Sequence, residues 1–458
     1  PRCLEAPRPG KIVDSSPSGN TNLVIVSFDA LRADHVGAYG CARDTTPNID
    51  RAAARAAVML NARSNSASTL PSHSTLFASL YFNTHGAQAR THTPLPSAAL
   101  TLAEVLKSRG YATAAFTGGA QMHPGFGTAQ GFDPYAAENL TPEKTADRAL
   151  RWLDAAPKPF FLFIHTYEIH HPYVPPPPYN TMFDPDYDGP LGDSIPLELI
   201  ERVNLLGGFG ELTDEDVEHI AAVYDGEVRY TDSALAPVLR LLRGRRFRDD
   251  TMLILLSDHG EEFGEHGYAG WHSHSLYEEL LRVPLIIAAP GVHPSRIAAD
   301  VSLIDVTPTA LEYAGVPPDR APAMQGRSFL PLLLDNREST ARCTFAELEI
   351  DAEAKDYTKC VVSDGFKFIG TSGRRLERMR RFIAPFVFLW DRSELYDLEA
   401  DPGEKTNLIA EKTLTARRLE AEITAFIERT RRARLEPERP SAPGDELRRQ
   451  LKSLGYTK

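Results

Sequence analysis

The feature that most constrains this chain is a series of short apolar runs, each the length of one strand, with helix-like segments between them. Asn22 to Phe28 (NLVIVSF), Tyr111 to Thr117 (YATAAFT), Phe160 to Ile164 (FFLFI), Met252 to Ser257 (MLILLS) and Leu285 to Ala289 (LIIAA) lack regular polar alternation. A strand with one wet face alternates, whereas a strand covered on both faces does not, so these runs read as buried strands. Thr141 and Pro142 supply an N-cap and a first helical residue, after which Ala146, Ala149, Leu150 and Leu153 fall on one face. A second helix is expected from Asp214 to Leu242, kinked or interrupted at Pro237. Buried strands alternating with helices predict an α/β fold with a large, mostly parallel central sheet flanked by helices.

The ends of the chain have a different character. The first 20 residues are rich in Pro, Ser and Gly and read as a disordered arm, with a catalytic domain expected over residues 21–340. Within it, Pro172 to Gly210 loses periodicity and reads as a surface excursion that covers the active site and shapes its leaving-group pocket. Beyond Arg342 the short alternating segments CTFAELEI, YTKCVVSDGFKFIG and FVFLWDRSELYDL predict a smaller α+β subdomain with an antiparallel sheet. That subdomain is placed at residues 341–435, with a helix from about Ala410 to Arg434 and a tail over 436–458.

Composition narrows the partners. With 50 Lys and Arg against 62 Asp and Glu, the net charge of −12 gives no electrostatic footprint for nucleic acid or an anionic membrane. The one basic cluster, Arg374 to Arg381, reads as a solvated face. No apolar run approaches the ~18 residues of a membrane span. Four cysteines form no CxxC pair, and Cys343 and Cys360 are candidates to pair in an oxidising compartment. The sequence begins at a proline without an apolar leader, which favours a processed, extracytoplasmic bacterial protein.

Three of the buried runs end in groups able to bind a metal. NLVIVSF leads into Asp29, MLILLS into Asp258 and His259, and FFLFI into His165. In open α/β sheets, ligands bind beyond the carboxyl ends of the strands. One acid at such a place is as often a loop cap, but three ends together point to a site. Adjacent Asp and His offer an oxygen and an imidazole nitrogen to one divalent ion. Thr69-Leu70-Pro71-Ser72-His73 reads as a fixed turn into a helix whose N–H groups would face an anion, although a plain N-cap explains it equally well when taken alone. Five of the 14 histidines fall in two short stretches, His165 to His171 and His272 to His274. A lone histidine is usually structural, whereas two clusters beside an Asp-His pair favour a metal or anion site.

At this point the motifs resemble a known family. NLVIVSFDALRADHVGAYG, STLPSHSTLFAS, LFIHTYEIHHPY, SDHGEEFGEHG, LYEELLRVPLIIAAPG and ELYDLEADPGEKTNL are similar, in order, to those of sulfatase-like enzymes of the alkaline phosphatase superfamily. The resemblance implies an alkaline phosphatase-like sandwich in which Asp29, Asp258, His259 and the nucleophile Thr69 hold a divalent cation (zinc, manganese or calcium). Arylsulfatases carry an oxidisable Cys or Ser at the place of Thr69 and an Arg at the place of His73, so a formylglycine is not expected here. Ala30 stands where many sulfatases have a second Asp, and no Lys-x-His stretch occurs near Phe116 to Gly127. A threonine nucleophile and the His-x4-His-x-Pro spacing of His165, His170 and Pro172 are instead similar to the phosphodiesterase and phosphoethanolamine transferase branches.

By the same resemblance, His170 and His272 are implied as catalytic ligands of the phosphoryl group or of a second metal. His73, His165 and His274 are implied as substrate-binding, with His274 competing for the role of His272. The implied activity is hydrolysis of a small anionic phosphoric ester through a covalent Thr69 intermediate. Hydrolysis of a sulfuric or phosphonate ester by unmodified Thr, or phosphoryl transfer, are the alternatives.

Overall fold

The computed structural model describes residues 21–138, 141–205, 208–316, 323–335, 342–351, 356–372, 390–438 and 444–454. The expected N-terminal arm and the cluster Arg374 to Arg381 lie outside them.

Ten strands belong to the larger part of the molecule: β1 (Asn22–Phe28), β2 (Ala57–Arg63), β3 (Ala112–Phe116), β4 (Tyr135–Ala136), β5 (Phe160–Thr166), β6 (Thr251–Ser257), β7 (Glu262–Phe263), β8 (Ala269–Trp271), β9 (Leu285–Ala288) and β10 (Ser295–Ser302). Eight of them form one sheet in the order β10-β2-β9-β6-β1-β5-β3-β4, and β7 pairs with β8. Every pairing in the large sheet is parallel except those of β9, which runs antiparallel to β2 and β6. β1, β5 and β6 are neighbours in register, with Phe28 opposite both Thr166 and Ser257. Their carboxyl ends, and hence Asp29, His165 and Asp258, therefore meet at one edge of the sheet.

The absence of alternation in these strands has the expected cause. Ile25, Phe163 and Leu256 enter one apolar core with Phe77, while Val24, Val26, Ile164 and Leu255 enter another on the opposite face. The helix Asp214–Leu242 lies on this second face and continues through Pro237. Pro237 was expected to kink or interrupt it, at a cost of about 3 kcal/mol, and the helix is not interrupted. Burial of Leu235, Val238 and Leu239 around the proline offsets that loss.

The smaller sheet comprises β11 (Thr344–Asp351), β12 (Asp356–Ser363), β13 (Phe366–Ser372) and β14 (Arg392–Asp397), antiparallel throughout. The helix Thr413–Arg432 packs on it, burying Leu419, Ile423 and Phe426 with Phe345 and Phe368. Within the expected tail, Asp445–Ser453 is helical and its Leu447 and Leu451 enter the first core. No helix among the described residues is long and apolar enough to cross a membrane. Cys360 is a buried free thiol, so it does not pair with Cys343; Cys343 is disulfide-bonded elsewhere.

Candidate active site

Thr69 opens the helix Thr69–Ala78, with Ser68 as its N-cap in extended conformation. Its hydroxyl is fully buried and stands 3.3 Å from Asp29 Oδ2 and 3.3 Å from His259 Nε2. The chain leaves β1 through Ala30 at φ 55°, a left-handed turn, and the Ala30 N–H donates to Asp258 Oδ1 at 3.2 Å. The Ser72 hydroxyl donates to the Asp258 carbonyl at 2.8 Å, which ties the helix to the end of β6. The four residues expected around a cation, Asp29, Thr69, Asp258 and His259, are thus brought together.

The electrostatics of this group are unbalanced without a cation. His259 Nδ1 donates to the Gly260 carbonyl at 2.9 Å, so Nε2 faces Asp29 Oδ1 and Asp258 Oδ2, each 3.6 Å away. Those two carboxylate oxygens are buried without a hydrogen-bond partner. Burial, reinforced by the Glu261 charge and opposed by His259, pushes the Asp29 carboxyl up to about 7. Burial works against a charged His259, and the Asp258 and Asp29 carboxylates outweigh it, raising its pKa. Two carboxylates and an imidazole nitrogen converging in a dry pocket call for positive charge between them. Their ligand atoms lie within 4.8 Å of one another, and the donor set fits a divalent cation.

A second group stands beside it. His170, His171 and His272 are buried with their ligand atoms within 4.8 Å of one another. His170 Nδ1 donates to the His171 carbonyl at 2.5 Å. His272 Nδ1 donates to Glu261 Oε1 at 2.9 Å, and the Tyr173 hydroxyl donates to Glu261 Oε2 at 3.0 Å. Burial, against the pull of Glu261, lowers the His272 pKa to about 3, so its ring is neutral at neutral pH. A cavity of about 150 Å³ is lined by Ser68 and Pro71 beside the nucleophile, and by Gln121, His171, Trp271 and His272. Trp271 stacks on His171, with ring centres 5.1 Å apart.

Three expectations change. His73 and His165 were assigned to substrate binding, but His73 spends both ring nitrogens on the protein and His165 lies on the core face of its strand. Alternation along β5 puts His165 on the same face as Phe161 and Phe163, underneath the nucleophile's helix. His73 Nδ1 donates to the Thr69 carbonyl at 2.9 Å, and its Nε2 accepts from the Ser27 hydroxyl at 2.9 Å. Burial lowers the His73 pKa to about 3, which keeps it neutral for that pair of bonds. His274 is turned away by Ser273, whose φ is 62°. It bonds Glu262 Oε2 at 2.7 Å, stacks on Tyr268 and lines a separate cavity. The Pro-rich excursion packs on the long helix at Gly226 and, among its described residues, does not line the active-site cavity.

Sequence reasoning gave no role to Glu261, His171 or Gln121, which accepts the Leu70 N–H at 2.9 Å. Glu261 and His171 sit within the singled-out motifs, and an acid or a doubled histidine there is a usable signal. Nothing in the stretch around Gln121 marks it.

A mostly parallel sheet that presents Asp29 and Asp258-His259 at the ends of adjacent strands, with the buried Thr69 hydroxyl at a helix start beside them, has the layout of an alkaline phosphatase-like ester hydrolase. The chain belongs to the sulfatase family: the Sulfatase model matches residues 21–316, and the model of the N-sulphoglucosamine sulphohydrolase C-terminal region matches residues 264–432. It is 28% identical over 279 residues to choline-sulfatase of Rhizobium meliloti, covering 57% of this chain and 50% of that protein, so the chain spans half the length of this relative. It is 25% identical to the multifunctional alkaline phosphatase superfamily protein PehA of Trinickia caryophylli, covering 86% and 92%. The fold matches that of a phosphonate monoester hydrolase of Agrobacterium radiobacter with a TM-score of 0.69, 21% identity and coverage of 90% and 96%.

Proposed function

We propose that this sulfatase-like hydrolase cleaves small anionic phosphoric esters using unmodified Thr69 as its nucleophile. The observation that carries the reading is the Thr69 hydroxyl, held at the helix start within 3.3 Å of both Asp29 and His259. Asp29, Asp258, His259 and Thr69 would hold a divalent cation, which supplies charge to ease ionisation of a hydroxyl and to neutralise an anionic ester.

The remaining chemistry belongs to the chain's own groups. Thr69 Oγ1 attacks phosphorus, forming a P–O bond as the ester P–O bond breaks. His272, fixed through Nδ1 by Glu261, would accept the nucleophile's proton at Nε2, while the departing oxygen on the opposite side takes its proton from solvent. Water then attacks the phospho-threonine from the side the first leaving group vacated, the P–O bond to Thr69 breaks, His272 returns the proton to Thr69 Oγ1, and the water's proton passes to solvent. Helix-terminal N–H groups and the imidazoles on the cavity wall meet the charge on the transferring group. The cavity accommodates a small leaving group, and the disulfide at Cys343 supports an extracytoplasmic setting.

A sulfate-ester reading is favoured by the family match and by the choline-sulfatase likeness. Against it, a formylglycine hydrate expels sulfate by collapsing to the aldehyde, and threonine has no such exit. Side-by-side turnover of p-nitrophenyl sulfate, p-nitrophenyl phosphate, a phenylphosphonate ester and bis-p-nitrophenyl phosphate decides between the two. Phosphoester turnover, lost in Thr69→Ala and leaving phosphate on the Thr69 peptide by mass spectrometry, is the expected result. Sulfate turnover well above the phosphorus substrates would replace the first reading with the second.

A further inference from the structure

His165 is the one imidazole near the nucleophile with no use in the scheme above. It is fully buried, and neither ring nitrogen has a hydrogen-bond partner. Buried polar nitrogens are almost always paired, so a ring without a hydrogen bond, set against a carboxylate, points to a partner shared with that carboxylate. Packing alone fixes its orientation: it meets His73 and Tyr167 edge-on at 4.8 and 4.7 Å and stacks on Phe163. Its Nε2 stands 3.3 Å from Asp29 Oδ2, the same oxygen that Thr69 approaches at 3.3 Å. Its ligand nitrogen also lies within 4.8 Å of the donor atoms of Asp258 and His73.

The ring lies on the same face of β5 as the core residues Phe161 and Phe163. His73, the neighbouring imidazole, is excluded as a donor because both of its nitrogens are engaged by Ser27 and Thr69. The spacings agree with shared coordination. Donor atoms of one ion, each at roughly 2.0–2.2 Å from it, stand about 3–4 Å apart, and Asp29 Oδ2 has both His165 Nε2 and the Thr69 hydroxyl at 3.3 Å.

We propose that His165 is a further nitrogen ligand of the cation held by Asp29, Asp258 and His259, and that two imidazoles tune this site to zinc-class ions over calcium. The chemistry of the donors gives the direction. Calcium takes six to eight oxygens, whereas zinc and its cobalt substitute accept mixed nitrogen and oxygen sets of lower number. Ala30, with no carboxylate to offer, leaves the oxygen count short. His165 fills the shortfall with nitrogen.

This inference rests on the proposed cation site, and the test separates the two. The chelator-stripped chain is titrated with zinc, manganese and calcium by calorimetry, and its cobalt derivative is read by visible absorption. Wild type is expected to bind one equivalent of zinc far more tightly than calcium. His165→Asn should weaken zinc about tenfold or more, narrow the zinc–calcium gap and alter the cobalt bands, with its circular dichroism unchanged. Unchanged affinity and bands in that variant overturn the role of His165 and leave the cation site standing. Absence of any bound divalent ion in wild type overturns both. Should His165→Asn fail to fold, X-ray absorption fine structure of zinc-loaded wild type decides: two imidazoles support the proposal, and one overturns it.

Discussion

Glu261 is the residue on which the second histidine group turns. It is fully buried, yet held well below the usual carboxylate range: burial opposes ionisation, and His272 and His171 outweigh it. As an anion it accepts from His272 and Tyr173 and so fixes the imidazole's tautomer. Glu261→Gln keeps the shape and removes the charge. The expected outcome is a 10–100-fold fall in kcat, with the acidic limb of the pH–kcat/KM profile displaced to lower pH. The sign follows from Glu261 raising the His272 pKa, so its loss makes that ring harder to protonate. A merely structural defect would lower the profile without moving the limb. The neighbouring residues differ in how legible they were. Asp29, Asp258 and His259 were singled out because they follow buried runs, the resemblance joined Thr69 to them, and the structure brings the four together. His73 and His165 were misplaced because spacing along the chain does not say which side of a sheet end faces the substrate. Alternation from Phe161 and Phe163 would have put His165 under the floor.

At the scale of elements, the apolar runs identified the strands because a sheet covered on both faces leaves no room for polar alternation. The same uniformity hides direction, so nothing in Leu285–Ala288 shows that this strand runs against its neighbours. The long helix shows the opposite case, where local rules lose to packing at Pro237. Its Gly226 carries a constraint the sequence does not display. A Cβ built there would stand 2.4 Å from the Tyr179 carbonyl oxygen, because the Pro-rich excursion lies directly on the helix. Alanine in a helix interior is normally stabilising by about 0.5–1 kcal/mol over glycine. Here Gly226→Ala is expected to destabilise by about 1–3 kcal/mol through overpacking, measured by chemical denaturation. Turnover per folded molecule should be unchanged, since the excursion does not line the cavity. A large loss of kcat in the folded variant would give the excursion a part in catalysis after all.

At the scale of the whole molecule, the two sheets are joined by a buried ion cluster that sequence could not reveal, since its members are distant and charged residues read as surface. Glu278, beyond the β7–β8 hairpin, receives Arg63 of β2 at 2.9 Å and Lys367 of β13 at 3.1 Å. Lys367 also meets Glu404 at 3.0 Å. Burial opposes ionisation of Glu278, but the charges of Arg63 and Lys367 prevail and hold it below the ordinary carboxylate value of 4.5. A depressed carboxyl pKa means that the unfolded chain binds the proton more readily than the folded one. The stabilisation from this group is therefore fully present above about pH 4.5 and is lost as pH falls through the folded value. Glu278→Gln should abolish that dependence and leave Arg63 and Lys367 short of a counter-charge in a dry interface. Breaking a buried pair in this way costs about 3–5 kcal/mol, and partial relief from Asp300 on Arg63 and Glu404 on Lys367 puts the expected loss at the lower end. Denaturant titrations of wild type and variant at pH 7 and at pH 3, between the unfolded value of 4.5 and the folded value of about 2, measure it. Wild type should approach the variant as pH falls below 4.5, because the unfolded wild-type chain takes up a proton that the folded one does not. A gap that stays constant between the two pH values would show that the two sheets are held together by their apolar contacts, with the ion cluster contributing nothing that titrates.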